Sequence, residues 1–159
     1  MGERRRSTGS FDVQRTTGSN EILDRLFVYA TLREGQTARS LIANQITRSV
    51  AASVTGAIYA FPMGYAGLID TPVPAGEPAA EALRVVGELV WLTELPATLG
   101  LLDAYEGEEL ARVITQVRLD TGELVWSWIY VLADPEVIKH ATLIEHGDWI
   151  RYRAETAGA

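Results

Sequence analysis

A chain of 159 residues, 47% apolar and 22% charged, has the size and balance of one globular domain with a sizeable core. It holds no cysteine, which removes disulfides, thiol nucleophiles and cysteine-based zinc or iron–sulfur sites together and favours a cytosolic setting. Its net charge of −7 argues against nucleic acid as a partner, because phosphate backbones bind to basic faces.

Residues 1–22 are rich in Gly, Ser and Thr, carry Arg4, Arg5, Arg6 and Arg15, and have little to bury, so they read as a disordered tail ahead of a single domain over 23–159. No apolar stretch follows the arginines, as an export signal would require, and Arg6 stands where a myristoylation signal needs Ser or Thr. No run is long enough to span a bilayer, so no membrane partner is expected. Leu26–Tyr29 is a short apolar run that predicts a buried strand. Gly35 marks a turn, and Thr37 is placed to cap a short helix through Ile42. Val54–Phe61 predicts a second strand, and Pro62–Gly67 a loop with two glycines. Residues 71–80 form a Pro-rich connection that reads as an exposed loop. Leu83–Leu92 is a further strand candidate. Arg112–Leu119 and Leu124–Leu132 flank Asp120-Thr121-Gly122-Glu123, a hairpin signal. The segment His146–Tyr152 reads as irregular. Strands dominate with two or three short helices, giving an α+β class and a mixed, mostly antiparallel sheet that could close into a barrel.

The clearest helix runs over Leu95–Gly107, with Thr93 or Glu94 at its start, Pro96 in its first turn and Gly107 just past its end. Leu95, Leu99 and Leu102 step by four and three along a core-facing stripe, and position 106 falls within about 20° of Leu95 at about 100° per residue. That position is Glu106. A carboxylate in the middle of an apolar face is costly unless it is paired or lines a cavity. Burial and the negative end of the helix dipole would both raise its pKa toward the range useful for proton transfer. Two plainer outcomes stay open: the helix ends early and Glu106 turns to solvent, or it pairs with an arginine. The small residues at Tyr29-Ala30-Thr31-Leu32 follow the first strand directly, where a turn can aim several backbone N–H groups into one concavity suited to a carboxylate.

Other constellations carry less chemistry. His140 and His146, six apart, do not have a usual metal spacing, and no Gly-x-Ser-x-Gly elbow is present. Asp103, Glu106, Glu108 and Glu109 are unevenly spaced, as on a solvated helix end, and the four tryptophans read as core packing beside strands. Neither a metal nor a cofactor is expected, and the sequence sets no oligomeric state.

Phe27-Val28-Tyr29-Ala30-Thr31-Leu32-Arg33-Glu34-Gly35 resembles the Tyr-Gly-(Ser/Thr)-Leu signature that opens γ-glutamylcyclotransferase-like (AIG2-like) proteins. Thr55-Gly56-Ala57-Ile58-Tyr59 with the loop after it is similar to the family's second strand, and Gly87-Glu88-Leu89-Val90 to the strand before its catalytic helix. Leu102-Asp103-Ala104-Tyr105-Glu106-Gly107 is similar to the Leu-Asp-x-(aromatic)-Glu-Gly motif. Gly147-Asp148-Trp149 and Tyr152 resemble bacterial members, so the resemblance spans about residues 25–152. It implies a small mixed, mostly antiparallel β-barrel with flanking short helices. It also implies that Tyr29, Ala30, Thr31 and Leu32 bind a small γ-glutamyl substrate, that Glu106 is the acid/base residue, and that no cofactor or metal takes part in a cytoplasmic reaction releasing 5-oxoproline. Two positions differ from the pattern: Ala30 stands for the usual loop glycine, and Leu110-Ala111-Arg112 for the usual Tyr-x-Arg. A non-catalytic relative that binds a small carboxylate is the alternative. A biosynthetic enzyme using the same glutamate for γ-glutamyl removal or another cyclisation is a third reading.

Overall fold

The computed structural model describes residues 23–70 and 83–157. The tail over 1–22 and the Pro-rich connection over 71–80 lie outside the described residues. Among those described, the strands are β1 (Arg25–Val28), β2 (Ile46–Ala60), β3 (Ala66–Asp70), β4 (Arg84–Leu92), β5 (Leu110–Leu119), β6 (Leu124–Leu132) and β7 (Thr142–Leu143). The helices are α1 (Leu95–Glu106) and α2 (Trp149–Ala157), with short 3₁₀ turns between elements.

Five strands close on themselves in the order β2-β4-β1-β6-β5, and the pairs Ala52↔Leu119 and Ser53↔Arg118 bring β5 back onto β2. The short β3 and β7 extend β2 beyond this ring. Every pairing is antiparallel except β1 with β6, where Leu26 sits beside Trp128. The fold is therefore a small mixed five-stranded β-barrel with extra strands and short helices, as expected.

β1 explains its own composition. Phe27 packs into the barrel interior with Val54, Ile58, Leu89 and Ile129, while Leu26 and Val28 pack outward with Ile42, Val90, Leu92 and Leu102. A strand buried on both faces needs a continuous apolar run rather than an alternating one. α1 closes the outer cluster through Leu102, with Leu95 packed against it, Pro96 at the helix start and Gly107 at φ 75° just beyond its end, where the Gly107 N–H reaches the Asp103 carbonyl. Gly67 marks the tightest approach of β3 to β6, since a Cβ there would run into the Leu132 side chain.

Four expectations need correction. The second strand begins at Ile46 rather than Val54, because Thr47, Arg48 and Ser49 face solvent and hide the pattern while Ile46, Arg48 and Ser49 still pair with β4 around a register shift at Thr47. Thr37 caps nothing: residues 39–45 form two 3₁₀ turns closed by backbone bonds such as Ile42 N–H to the Arg39 carbonyl. The glycine at 67 belongs to β3 instead of the loop. The segment read as irregular contains the start of α2, whose first turn is capped by Asp148 Oδ1 accepting from the N–H groups of Ile150 (3.1 Å) and Arg151 (3.2 Å).

Candidate functional site

The end of β1, the loop after it and the last turn of α1 enclose a cavity of about 260 Å³. Tyr29, Ala30, Thr31, Leu32 and Glu106 all line it, so the positions singled out in sequence converge on one space. Tyr65, Tyr105, Glu109, Leu110 and Tyr130 complete the wall relevant to its chemistry.

Glu106 arrives there because the helix keeps its register to the end. Leu99 and Leu102 fix the apolar face, and the next residue on that face opens onto the cavity instead of the core. Its side chain is half-buried and, among the described residues, has no hydrogen bond or ion pair. Burial alone pushes its carboxyl up to about 7. Neither plainer outcome holds. The glutamate does not swing to solvent, and the nearby arginine is engaged elsewhere: Arg112 forks onto Asp103 through Nε (2.9 Å) and a second nitrogen (3.0 Å). This fork holds the Asp103 carboxyl below its ordinary value.

The tyrosines are committed donors. The Tyr29 hydroxyl donates to the Tyr130 carbonyl at 2.7 Å, and the Tyr130 hydroxyl donates to Asp103 Oδ1 at 2.6 Å. Burial, and then the charge of Glu106, raise the Tyr29 pKa; burial and the Asp103 bond raise that of Tyr130. Both phenols therefore stay neutral. Tyr105 bridges the helix to the loop, its hydroxyl 3.4 Å from Thr31 Oγ1.

The loop itself uses its carbonyls and leaves its amides open. Arg33 N–H returns to the Ala30 carbonyl (3.1 Å) and Ala38 N–H to the Thr31 carbonyl (2.9 Å), whereas no described acceptor takes the N–H of Ala30, Thr31 or Leu32. Glu94 is the sole non-glycine at positive φ among the described residues, so Ala30 holds an ordinary backbone conformation and the loop does not need glycine's freedom. At the second departure, Leu110 lines the cavity with an apolar side chain while Arg112 keeps its pairing role on Asp103.

Sequence reasoning missed Tyr130 and the Asp103–Arg112 fork. Tyr130 sits in a strand that is otherwise apolar apart from Ser127, where a hydroxyl demanding a partner was the available signal. Asp103 and Arg112 are nine residues apart across a chain reversal, so no helical spacing relates them. His146 contacts Glu155 at 3.1 Å, in line with a satisfied histidine. Among the described residues no group of three or more His, Asp or Glu could hold a metal ion, and no helix is long and apolar enough to cross a membrane.

A closed five-stranded mixed barrel with extra strands and short helices is a γ-glutamylcyclotransferase-like fold. The chain belongs to the family described as gamma-glutamyl cyclotransferase, AIG2-like, which matches residues 26–151. Solved structures share the architecture. YkqA from Bacillus subtilis superposes with a TM-score of 0.64 at 20% identity, over 86% of this chain and 43% of that one, so this chain spans under half of YkqA. The uropathogenic E. coli-specific protein c4763 gives 0.58 at 19% identity, over 82% of this chain and 95% of its own. An AIG2-like protein from Mus musculus gives 0.51 at 21% identity, over 79% and 87%. No curated protein sequence matches the chain.

Proposed function

We propose that the protein is a cyclotransferase that cleaves a γ-glutamyl amide by attack of the substrate's own α-amine on its γ-carbonyl. The carbonyl carbon forms a bond to the α-nitrogen and breaks its bond to the leaving nitrogen, giving 5-oxoproline and a free amine or amino acid. Glu106 as a carboxylate takes one proton from the α-ammonium to free the attacking amine. Once the new bond forms, the same nitrogen gives up a second proton. The two pass by way of Glu106 to the departing nitrogen, which leaves as an ammonium while the lactam nitrogen keeps one hydrogen. A group near pH 7 can do both, since it neither holds nor releases the proton too strongly. The observation that carries this reading is the isolation of Glu106: a desolvated, unpartnered carboxyl at about 7 in a small cavity.

The surrounding groups divide the remaining work. The open amides of Ala30, Thr31 and Leu32 receive the substrate's α-carboxylate or the developing oxyanion. Tyr29 and Tyr130 do not supply protons, because both of theirs are already given to protein acceptors. They shape the wall and exclude water. Holding the glutamyl chain folded for attack is itself worth several kcal/mol of barrier. A cavity of about 260 Å³ lies just below the range of about 300–1,000 Å³ typical for drug-sized ligands, which suits a small substrate.

Incubation with a panel of γ-glutamyl amines and γ-glutamyl amino acids, with 5-oxoproline read by mass spectrometry, tests the proposal. Glu106→Gln should keep the fold and lose turnover by about 10³-fold, while wild-type kcat/KM rises with pH through about 7. Undiminished turnover in the variant sinks the assignment. Silence of the wild type across the panel, with tight binding of a small carboxylate, would instead identify a non-catalytic binder.

A further inference from the structure

We propose that Glu88 is a positioning residue that sets the amide-lined loop of the cavity, acting through Arg39 on the Leu32 peptide. The inference rests on the loop having the substrate-binding role given above.

Glu88 lies on β4 directly opposite Val28, the last residue of β1. Its carboxylate accepts three hydrogen bonds, all from the segment that follows the loop: Arg39 at 2.7 Å, Arg33 Nε at 3.1 Å and the Glu34 backbone N–H at 3.0 Å. The same Arg39 nitrogen donates to the Leu32 carbonyl at 3.3 Å. The Leu32–Arg33 peptide is thus pinned at both ends, its carbonyl by Arg39 and its N–H by the Ala30 carbonyl. That is the turn presenting the open amides of Thr31 and Leu32. Arg33 extends the arrangement to Asp148 Oδ1 at 3.0 Å, the residue that caps α2.

The charges balance as two guanidinium groups against two carboxylates, and Arg33, Arg39 and Glu88 are each only about 15% exposed. A cluster this dry costs desolvation that its hydrogen bonds must offset, so it holds one geometry rather than several. Its anchor is closely packed. At Gly87 the β4 backbone lies so near β1 that a Cβ would meet the Val28 carbonyl and the Phe27 ring. The clamp therefore refers the loop to a tightly packed part of the barrel. By contrast, among the described residues the backbone bonds from Tyr29–Leu32 to other loops are those to Arg33 and Ala38.

The test uses Arg39→Met, which frees the Leu32 carbonyl while leaving Glu88 with Arg33 and the Glu34 amide, together with Glu88→Gln and Arg39→Lys. For a γ-glutamyl amide, Arg39→Met and Glu88→Gln should raise KM about 10- to 100-fold with kcat within a few-fold of wild type, and the acid limb near pH 7 should stay in place. Arg39→Lys should recover most of the affinity. In parallel, hydrogen exchange at Arg33 and Ala38, whose N–H groups bond to the loop carbonyls, should quicken in Arg39→Met while β4 amides keep their protection. A clamp that only holds the fold together would lower Tm and the active fraction, leaving KM and loop exchange unchanged, and that result overturns the proposal. Quickened exchange with an unchanged KM overturns it as well. If the wild type turns over and binds no γ-glutamyl compound, the functional reading fails on its own, and the exchange measurement still decides whether Glu88 sets the loop.

Discussion

Two half-buried carboxylates flank the loop after β1, and their surroundings could hardly differ more. Glu88 takes three donors from one stretch of chain and faces two arginines. Glu106 takes none among the described residues and opens onto a mostly apolar cavity that it shares with Tyr29, Tyr130 and Glu109. Both gave up water on folding, which is costly for an ionised group. At Glu88 the arginines offset that cost. At Glu106 nothing does, and the deficit is stored as affinity for a proton. Burial alone therefore does not decide what an acidic side chain becomes. Its partners decide: arginines neutralise one carboxylate, and the other is left with a raised affinity for a proton.

Mutations should move the two sites in opposite directions. Glu88→Ala leaves Arg39 without its carboxylate and the Glu34 amide without its acceptor, so stability should fall by about 3–5 kcal/mol in urea denaturation. A loss under 1 kcal/mol, roughly the value of a surface pair, would show that the cluster is not holding the loop side together. Glu106→Gln should do the reverse. The folded-state pKa of Glu106 is raised from 4.5 to about 7, so the folded chain binds this proton more tightly than the unfolded chain. The resulting penalty is absent below about 4.5, grows as pH rises toward 7, and is complete above 7. The glutamine variant should therefore match wild type near pH 4 and exceed it by about 2–3 kcal/mol at pH 8. A pH-independent difference would mean that Glu106 is not isolated after all. The smallest effect is expected at the loop itself. Ala30 already has a negative φ, so Ala30→Gly relieves no strain and should cost under about 1 kcal/mol through added freedom of the unfolded chain. A gain in stability would reveal strain there.

What the sequence disclosed follows from how local each signal is. Helical periodicity placed Glu106 on a buried stripe without reference to the rest of the chain, and the run Leu26–Val28 announced a strand covered on both faces. The β5–β6 hairpin was legible for the same reason, its turn carrying Gly122 at φ 95° between two paired strands. The first half of β2 was not. Its outward residues are polar and its neighbours lie far along the chain, so alternation fails just where pairing with β4 begins. Nor could spacing reveal the Glu88 cluster, whose members at 33, 39, 88 and 148 meet only after β1, β4 and α2 are assembled. The stretch Gly87-Glu88 was visible as a motif, but its purpose lay in arginines some 50 residues away. Thr37 misled because capping chemistry was present without a helix to cap.

The placement of β1 between β4 and β6 has a consequence for how the chain folds. β1 precedes both of its neighbours by a wide margin, pairing Arg25 with Trp91 and Leu26 with Trp128. During synthesis it stays unpaired until β4 has emerged through Leu92 and covered on one edge only until β6 has emerged through Leu132, and contacts of such long range are slow to form. The loop after β1 can take its final shape only once that strand is seated. Competence for chemistry would then arrive last in folding and vanish first on partial opening, so loss of activity should precede loss of global structure as the protein is warmed.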